Sequence, residues 1–172
     1  MRRMSSNKIL QGIHMNNSQK TLSFPSVSGS DLEGKKHRLP NDFEGSLNIV
    51  IVAFRREQTD LIEGWTGSLE EIERKNLTIR FYELPVLSRS YSPLRWWIDG
   101  GMRAGIADKK ARKRTITVYT AKRSFKNQLA IPNEETIYIF LVDKSGKILW
   151  RSVGDFNEEK IQQLRHSLEE NE

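Results

Sequence analysis

The chain has 172 residues, 37% hydrophobic and 29% charged, with a formal net charge of +6 and no cysteine. That length suits one domain with a self-sufficient core, and the missing thiols exclude disulfides, thiolate nucleophiles, Cys–zinc sites and thiol redox chemistry. His14, His37 and His166 lie far apart and form no HxH or HExxH pair, so nothing indicates a histidine-built metal site or a cofactor.

Residues 1–22 are rich in Ser and Asn, contain no acid and show no sustained period, so they read as a disordered or loosely attached basic tail before a domain over 23–172. The tail lacks the apolar h-region of a secretory signal. Its composition is that of a mitochondrial transit peptide, but Ile9, Leu10 and Ile13 are its only aliphatic cluster, a weak basis for the amphipathic helix such a peptide needs. The longest apolar run, Ile49 to Phe54, is six residues, far short of a membrane span. A cytoplasmic protein with membrane association left open is the expectation; a mitochondrial one is the alternative if the tail is a transit peptide.

From Phe24 the pattern is α/β. Ser30 to Leu32 and Lys36 to Leu39 flank the turn Glu33-Gly34-Lys35 as a hairpin. Leu47 to Phe54, LNIVIVAF, reads as a central strand covered on both faces. Leu61, Ile62, Trp65, Leu69 and Ile72 recur at helical spacing, with Gly64 and Gly67 interrupting and Ser68 with Glu71 forming a capping box that restarts the helix. Leu77 to Leu84 alternates as a strand, Leu77, Ile79 and Phe81 on one face, and Pro85 ends it. Tyr91 to Met102 reads as a helix with Pro93 in its first turn and Gly100-Gly101 at its end.

Thr115 to Thr120 is a β-branched strand, and Phe125 to Ile131 a helical turn closed by Pro132. Thr136 to Val142 and Lys147 to Trp150 form a hairpin around a turn for which Asp143 is the simplest turn former. Asn157 caps a last helix whose buried face is Ile161, Leu164 and Leu168. The order predicts a mixed central sheet with helices on both faces.

Gly34 in the first hairpin, the strand ending in Phe54, Pro132 before a strand, and VDKSGKILW together resemble the thioredoxin-like superfamily. "DLEGKKHRLPNDFEG" is similar to the hairpin of its peroxiredoxin-type members. More narrowly, Phe54-Arg55, Trp65, Met102 to Ile106, and Phe140 to Asp143 with Gly146, Lys147, Ile148, Trp150 and Gly154 resemble the thioredoxin-like family of the mitochondrial ATP synthase assembly factor and its bacterial relatives. The resemblance implies a thioredoxin-like fold of peroxiredoxin type with an N-terminal β-hairpin. It also implies a non-redox binding role: an assembly factor or chaperone-like partner whose protein client is a membrane-complex subunit, such as one of ATP synthase.

Redox members of the superfamily place their cysteine where this chain has Arg55 to Asp60. Thr59 and Ser68 are the hydroxyls nearby, with no histidine to activate them. Arg55, Arg56, Gln58 and Asp60 are therefore candidates for an anion or partner-peptide site at a strand's carboxyl end, against a plain loop with an arginine paired to Asp60. Arg103 either turns back to that pocket to bind a carboxylate or phosphate, or pairs with Asp99 or Glu83. Trp97 with Leu94, Ile98 and Met102 makes a buried stripe, leaving Trp96 partly exposed as a candidate partner anchor, against the plainer expectation that both indoles pack on the sheet or tail; Trp65 and Trp150 belong to the core. Pro132 sits where the superfamily often carries a cis-proline.

Residues 103–126 hold nine basic residues against Asp108 alone. Within them Lys109, Lys110, Arg112, Lys113 and Arg114 form a basic patch, expected as a solvated loop touching anionic lipid or another polyanion. No nucleic-acid motif accompanies it, so sequence-specific readout is not expected. An anion- or nucleic-acid-associated module on 103–126 is the alternative function. A cysteine-free enzyme ranks last; it requires Arg55, Arg56, Arg103 and Asp60 or Glu57 to converge.

Overall fold

The computed structural model describes residues 22–172, so the expected basic tail and its transit-peptide alternative lie outside the described residues but for Leu22. The described strands are β1 Val27–Asp31, β2 Lys36–Leu39, β3 Leu47–Ala53, β4 Ile79–Ser88, β5 Ile116–Thr120, β6 Tyr138–Asp143 and β7 Ile148–Val153. The helices are α1 Thr59–Lys75, α2 Arg95–Gly105, α3 Lys109–Arg114, α4 Lys122–Gln128 and α5 Glu158–Asn171, with 3-10 segments at Arg56–Gln58 and Arg89–Leu94.

The strands form one mixed sheet in the order β2-β1-β5-β4-β3-β6-β7. The three parallel strands β3, β4 and β5 end at the same edge of the sheet, and β6, antiparallel to β3, begins there. Every residue of β3 is buried, as its unbroken apolar run requires of a strand covered on both faces. On one face Ile49, Ile51, Phe81, Ile139 and Leu141 pack under Trp65, Leu69 and Ile72 of α1 and Ile161, Leu164 and Leu168 of α5. On the other, Val50, Val52, Leu84, Val118 and Phe140 meet Phe125 of α4 together with Phe24 and Phe43. This is the mixed sheet with helices on both faces, entered through an N-terminal hairpin, that the pattern and the resemblance led one to expect.

Several boundaries differ from the sequence expectation. The first strand starts at Val27, three residues before Ser30. Helix α1 runs unbroken through Gly64 and Gly67, with no restart at Ser68. A mid-helix glycine costs about 1 kcal/mol, and burying the Trp65, Leu69 and Ile72 face outweighs that. Leu77 is 85% exposed in the turn before β4 rather than beside Ile79 and Phe81. Strand β4 passes through Pro85 to Ser88: Pro85 is its last residue paired with β3, and Val86 to Ser88 pair with β5 instead. The proline ends one ladder, not the strand.

Pro93 lies in the 3-10 segment, and α2 continues through Gly100-Gly101 to Gly105. Helix α4 begins earlier than expected, at Lys122. Gly146, at φ +89°, closes the β6–β7 turn, where the Asp143 carboxylate accepts from the backbone N–H of Ser145 (2.8 Å) and Lys147 (2.9 Å). Asn157 caps α5 by accepting from Lys160 N–H at 2.9 Å. Leu22 touches the sheet at β7, its carbonyl accepting from Ile148 N–H at 2.9 Å.

Candidate functional site

The carboxyl end of β3 turns into α1 through Phe54 to Gln58, and one side chain organises that turn. Gln58 is buried. Its Oε1 accepts from the backbone N–H of Phe54 (2.8 Å) and Arg55 (3.2 Å), and its Nε2 donates to the carbonyl of Glu134 at 2.8 Å. Backbone N–H groups at such a strand-to-helix turn are where an anion is ordinarily held. Here a neutral amide oxygen within the chain occupies two of them. Arg55, Arg56 and Asp60 around it are exposed, and Arg55 and Arg56 are not ion-paired with Asp60 among the described residues.

Pro132 is exposed at the same end, ahead of β6. Its peptide bond is not cis; the cis bond among the described residues is Leu39-Pro40. Glu134, next to it, is held by Lys122 (2.5 Å) and Lys126 (2.8 Å). Burial pushes the Glu134 carboxyl upward, but the two lysines outweigh it and leave it below its ordinary range. This tether between Gln58, Glu134 and α4 went unrecognised in the sequence; the Lys122 and Lys126 pair at i, i+4 spacing was its one available signal.

Helix α2 follows β4 at this same end. Arg95 lies over the Tyr119 ring at 4.9 Å, and the Tyr119 hydroxyl donates to Asp99 at 3.1 Å. Burial pushes the Asp99 carboxyl above its usual range despite that bond. These contacts set the rotation of α2: Asp99 and Met102 lie towards the sheet, Arg95 stays exposed at its rim over Tyr119, and the indoles turn outward. Trp96 is 70% exposed and Trp97 68%, their ring centroids 5.2 Å apart. Trp97 is therefore no part of a buried stripe, and Leu94 is exposed as well. Trp65 is fully buried, donating to the Gly154 carbonyl at 3.0 Å, while Trp150 is partly buried against the α1 and α5 core.

Arg103 lies at the opposite end of the sheet, at the far end of α2. Its partner is Glu33 in the β1–β2 turn, at 3.8 Å, rather than Asp99, Glu83 or the β3 pocket. The convergence of Arg55, Arg56 and Arg103 that an enzymatic site requires is thus not present.

The basic patch is at that opposite end too, as helix α3 and not as a solvated loop. Asp108 caps it by accepting from Ala111 N–H at 2.8 Å. Its charges are directed inward to carboxylates: Lys110 to Glu73 (2.6 Å), Arg112 to Glu33 (2.6 Å), and Arg114 to Glu70 (2.9 Å) and Glu83 (3.3 Å). Arg114 is buried, with its guanidinium 4.3 Å from the Phe81 ring centroid. Burial pushes the Glu83 carboxyl above its ordinary range even with Arg114 opposing it. The Arg112 hydrogen bond holds Glu33 below its range. Lys109 and Lys113 are exposed without an ion pair among the described residues. A charged cavity of about 480 Å³ opens here, lined in part by His37, Glu44, Glu73 and Lys113. No group of three or more carboxylate and imidazole side chains is placed to hold a metal among the described residues. Nor is any helix among them long and apolar enough to cross a membrane.

The model of the family described as ATP10 protein matches residues 6–170, nearly the whole chain. The chain belongs to the ATP10 protein family. That is the family of ATP synthase assembly factors which its Phe54-Arg55 and Met102 to Ile106 segments resemble. No curated protein matches the chain significantly.

Solved structures are similar to this ATP10-family chain in fold. BsSco, a member of the Sco family of cytochrome c oxidase assembly proteins, has a TM-score of 0.57 at 12% identity, over 86% of this chain and 94% of that one. A thiol:disulfide interchange protein DsbE from Chlorobium tepidum has a TM-score of 0.53 at 14% identity, over 88% and 96%. A thiol:disulfide interchange protein from Bacteroides sp. has a TM-score of 0.53 at 18% identity, over 77% and 80%. The fold is thioredoxin-like, and this chain carries it without a cysteine.

Proposed function

We propose that this ATP10-family chain is a non-redox assembly factor that holds a client polypeptide at the carboxyl end of β3, β4 and β5, without catalysis. The observation that carries this is Gln58. Its amide closes the strand-end turn on itself and on Glu134, leaving a rigid, unreactive seat rimmed by the exposed Arg55, Arg56, Asp60 and Pro132. Rigid loops at the end of a parallel sheet are where open α/β folds present ligands, and a preordered seat lowers the entropy lost on binding. Family membership supports a client that is a subunit of a membrane complex, ATP synthase first, and a place of work beside the membrane that houses it.

A polyanion-binding role for residues 103–126 draws less support, because most charges of α3 are already directed to Glu33, Glu70, Glu73 and Glu83. The test is co-purification of ATP synthase subunits with the full chain from detergent extract, with nuclease, at low and moderate salt. Client binding predicts recovery at both salts and loss on Arg55→Ala with Arg56→Ala. Nucleic acid alone, released by salt and lost with Lys109→Gln and Lys113→Gln, would contradict it.

A further inference from the structure

The segment Arg89–Leu94 and the first turn of α2 form a ridge that the client seat does not use. Tyr91, Leu94, Trp96 and Trp97 are all exposed on it. Four large apolar side chains within seven residues are far more than a free surface carries by chance, and such a patch marks an interaction site.

Three features specify the partner. First, charge: between Glu83 and Asp99 the chain has no acidic residue, while Arg89 and Arg95 flank the aromatics. Arg55, Arg56 and Arg123 follow β3 and β5 at the same end of the sheet. None of these five arginines is ion-paired among the described residues, and residues 1–21 contain no acid that could pair them. Glu57 and Asp60 are the exposed acids beside Arg55 and Arg56, so the excess is concentrated on the ridge side.

Second, shape: the two indoles point outward from adjacent positions, about 100° apart around the helix, so they make a convex edge. The charged cavity of about 480 Å³ lies at the opposite end of the sheet, lined from the β1–β2 turn and α3, and this ridge is no part of its rim. A convex edge suits a flat, yielding surface. Third, residue type: tryptophan and tyrosine settle at the bilayer interface, apolar ring inward and polar tip at the headgroups. Arginines beside them attract anionic lipid.

We infer that Tyr91, Leu94, Trp96 and Trp97, with Arg89 and Arg95, are a docking edge that inserts into the headgroup region of an anionic bilayer. It lays the molecule on the membrane by the same end that carries the seat of Arg55 and Arg56. The docking edge stands on its own observations and does not need the client proposal to hold.

The test is flotation of the full chain with vesicles of phosphatidylcholine alone or with equal parts phosphatidylglycerol, with tryptophan emission and bromolipid quenching recorded. Binding is expected to the anionic vesicles only and to weaken with salt. Trp96→Ser with Trp97→Ser should lower it by about tenfold or more, as should Arg89→Gln with Arg95→Gln. The quenched emission should come from Trp96 and Trp97, and vanish in their variant while Trp65 and Trp150 remain. Near-identical thermal unfolding of the variants would establish that the loss is local.

Absence of binding at every composition would overturn the docking edge. So would anionic binding that survives both pairs of substitutions, which would assign it to basic residues elsewhere in the chain. A dimer by sedimentation that the tryptophan variant dissociates, with no vesicle binding, would overturn it in favour of a second copy. Capture of a soluble polypeptide by the ridge with vesicles left unbound would do so as well.

Discussion

Gln58 donates to the carbonyl of Glu134 at 2.8 Å across 76 residues of sequence, joining the start of α1 to the turn before β6. The same side chain accepts two backbone N–H groups of its own turn. The turn from β3 into α1 is thereby closed on itself and tied to the segment that precedes β6.

Gln58→Ala should be destabilising out of proportion to its size. It leaves two N–H groups and a carbonyl without their partner in a part-buried turn, each worth about 1 kcal/mol or more, so the expected loss is roughly 2–3 kcal/mol in urea unfolding. Gln58→Leu, which fills the space but not the bonds, should do no better. A loss below about 0.5 kcal/mol would mean that the turn holds without this amide.

Arg114 should matter more than the exposed lysines of α3. Removing Arg114 leaves Glu83 buried without its guanidinium, a change expected to cost about 3–5 kcal/mol. Lys109→Gln and Lys113→Gln, exposed and unpaired, should stay within about 0.5 kcal/mol. Parallel denaturation of the three variants separates a structural helix from a solvated one.

That pair also predicts a pH dependence. The folded carboxyl of Glu83 titrates above its unfolded value because burial outweighs Arg114. The native state therefore binds more protons than the unfolded one between the two values, and the ionised form is a penalty that grows as pH rises through that window. Arg114→Met removes the opposing charge, pushes the carboxyl further up and enlarges the penalty. The stability gap between the variant and the parent should thus be widest at neutral pH and shrink towards about pH 5 or below. A gap that widens on acidification would contradict the assignment, and Glu83→Gln should flatten it.

The four tryptophans should divide cleanly. Trp65→Leu loses a filled core volume and the bond to Gly154, costing about 3 kcal/mol or more. Trp96→Ser and Trp97→Ser should leave stability nearly unchanged. Acrylamide quenching in the parent should be dominated by Trp96 and Trp97 and collapse in their double variant.

Much of the fold was legible in the residues, and the misreadings share a cause. LNIVIVAF and the Asp143 and Asn157 turns were readable because burial on both faces, or a side-chain bond to the next few N–H groups, is a local requirement. Pro85 misled because whether a proline breaks a ladder depends on which neighbour the strand faces, and β4 changes neighbours just there. Gly64, Gly67 and Gly100-Gly101 misled because packing outweighs propensity. Trp97 was set outward by Asp99 meeting Tyr119, a contact 20 residues away in sequence. The charges of Lys109 to Arg114 look solvated on paper; their partners Glu33, Glu70, Glu73 and Glu83 lie on α1, β4 and the first turn, which only the assembled sheet brings near. The thioredoxin-like character and the family came through resemblance. The closed state of the strand end did not, because it depends on Gln58 finding Glu134.

The most direct measurement is site-specific photo-crosslinking of the full chain in membranes that are assembling ATP synthase, with the probe placed at position 56 at the client seat or at position 113 on the opposite end. A client held at the carboxyl end of the parallel strands predicts adducts with an ATP synthase subunit from position 56 and not from position 113. Adducts from position 113 alone, or none with any subunit of the complex from position 56, would contradict it.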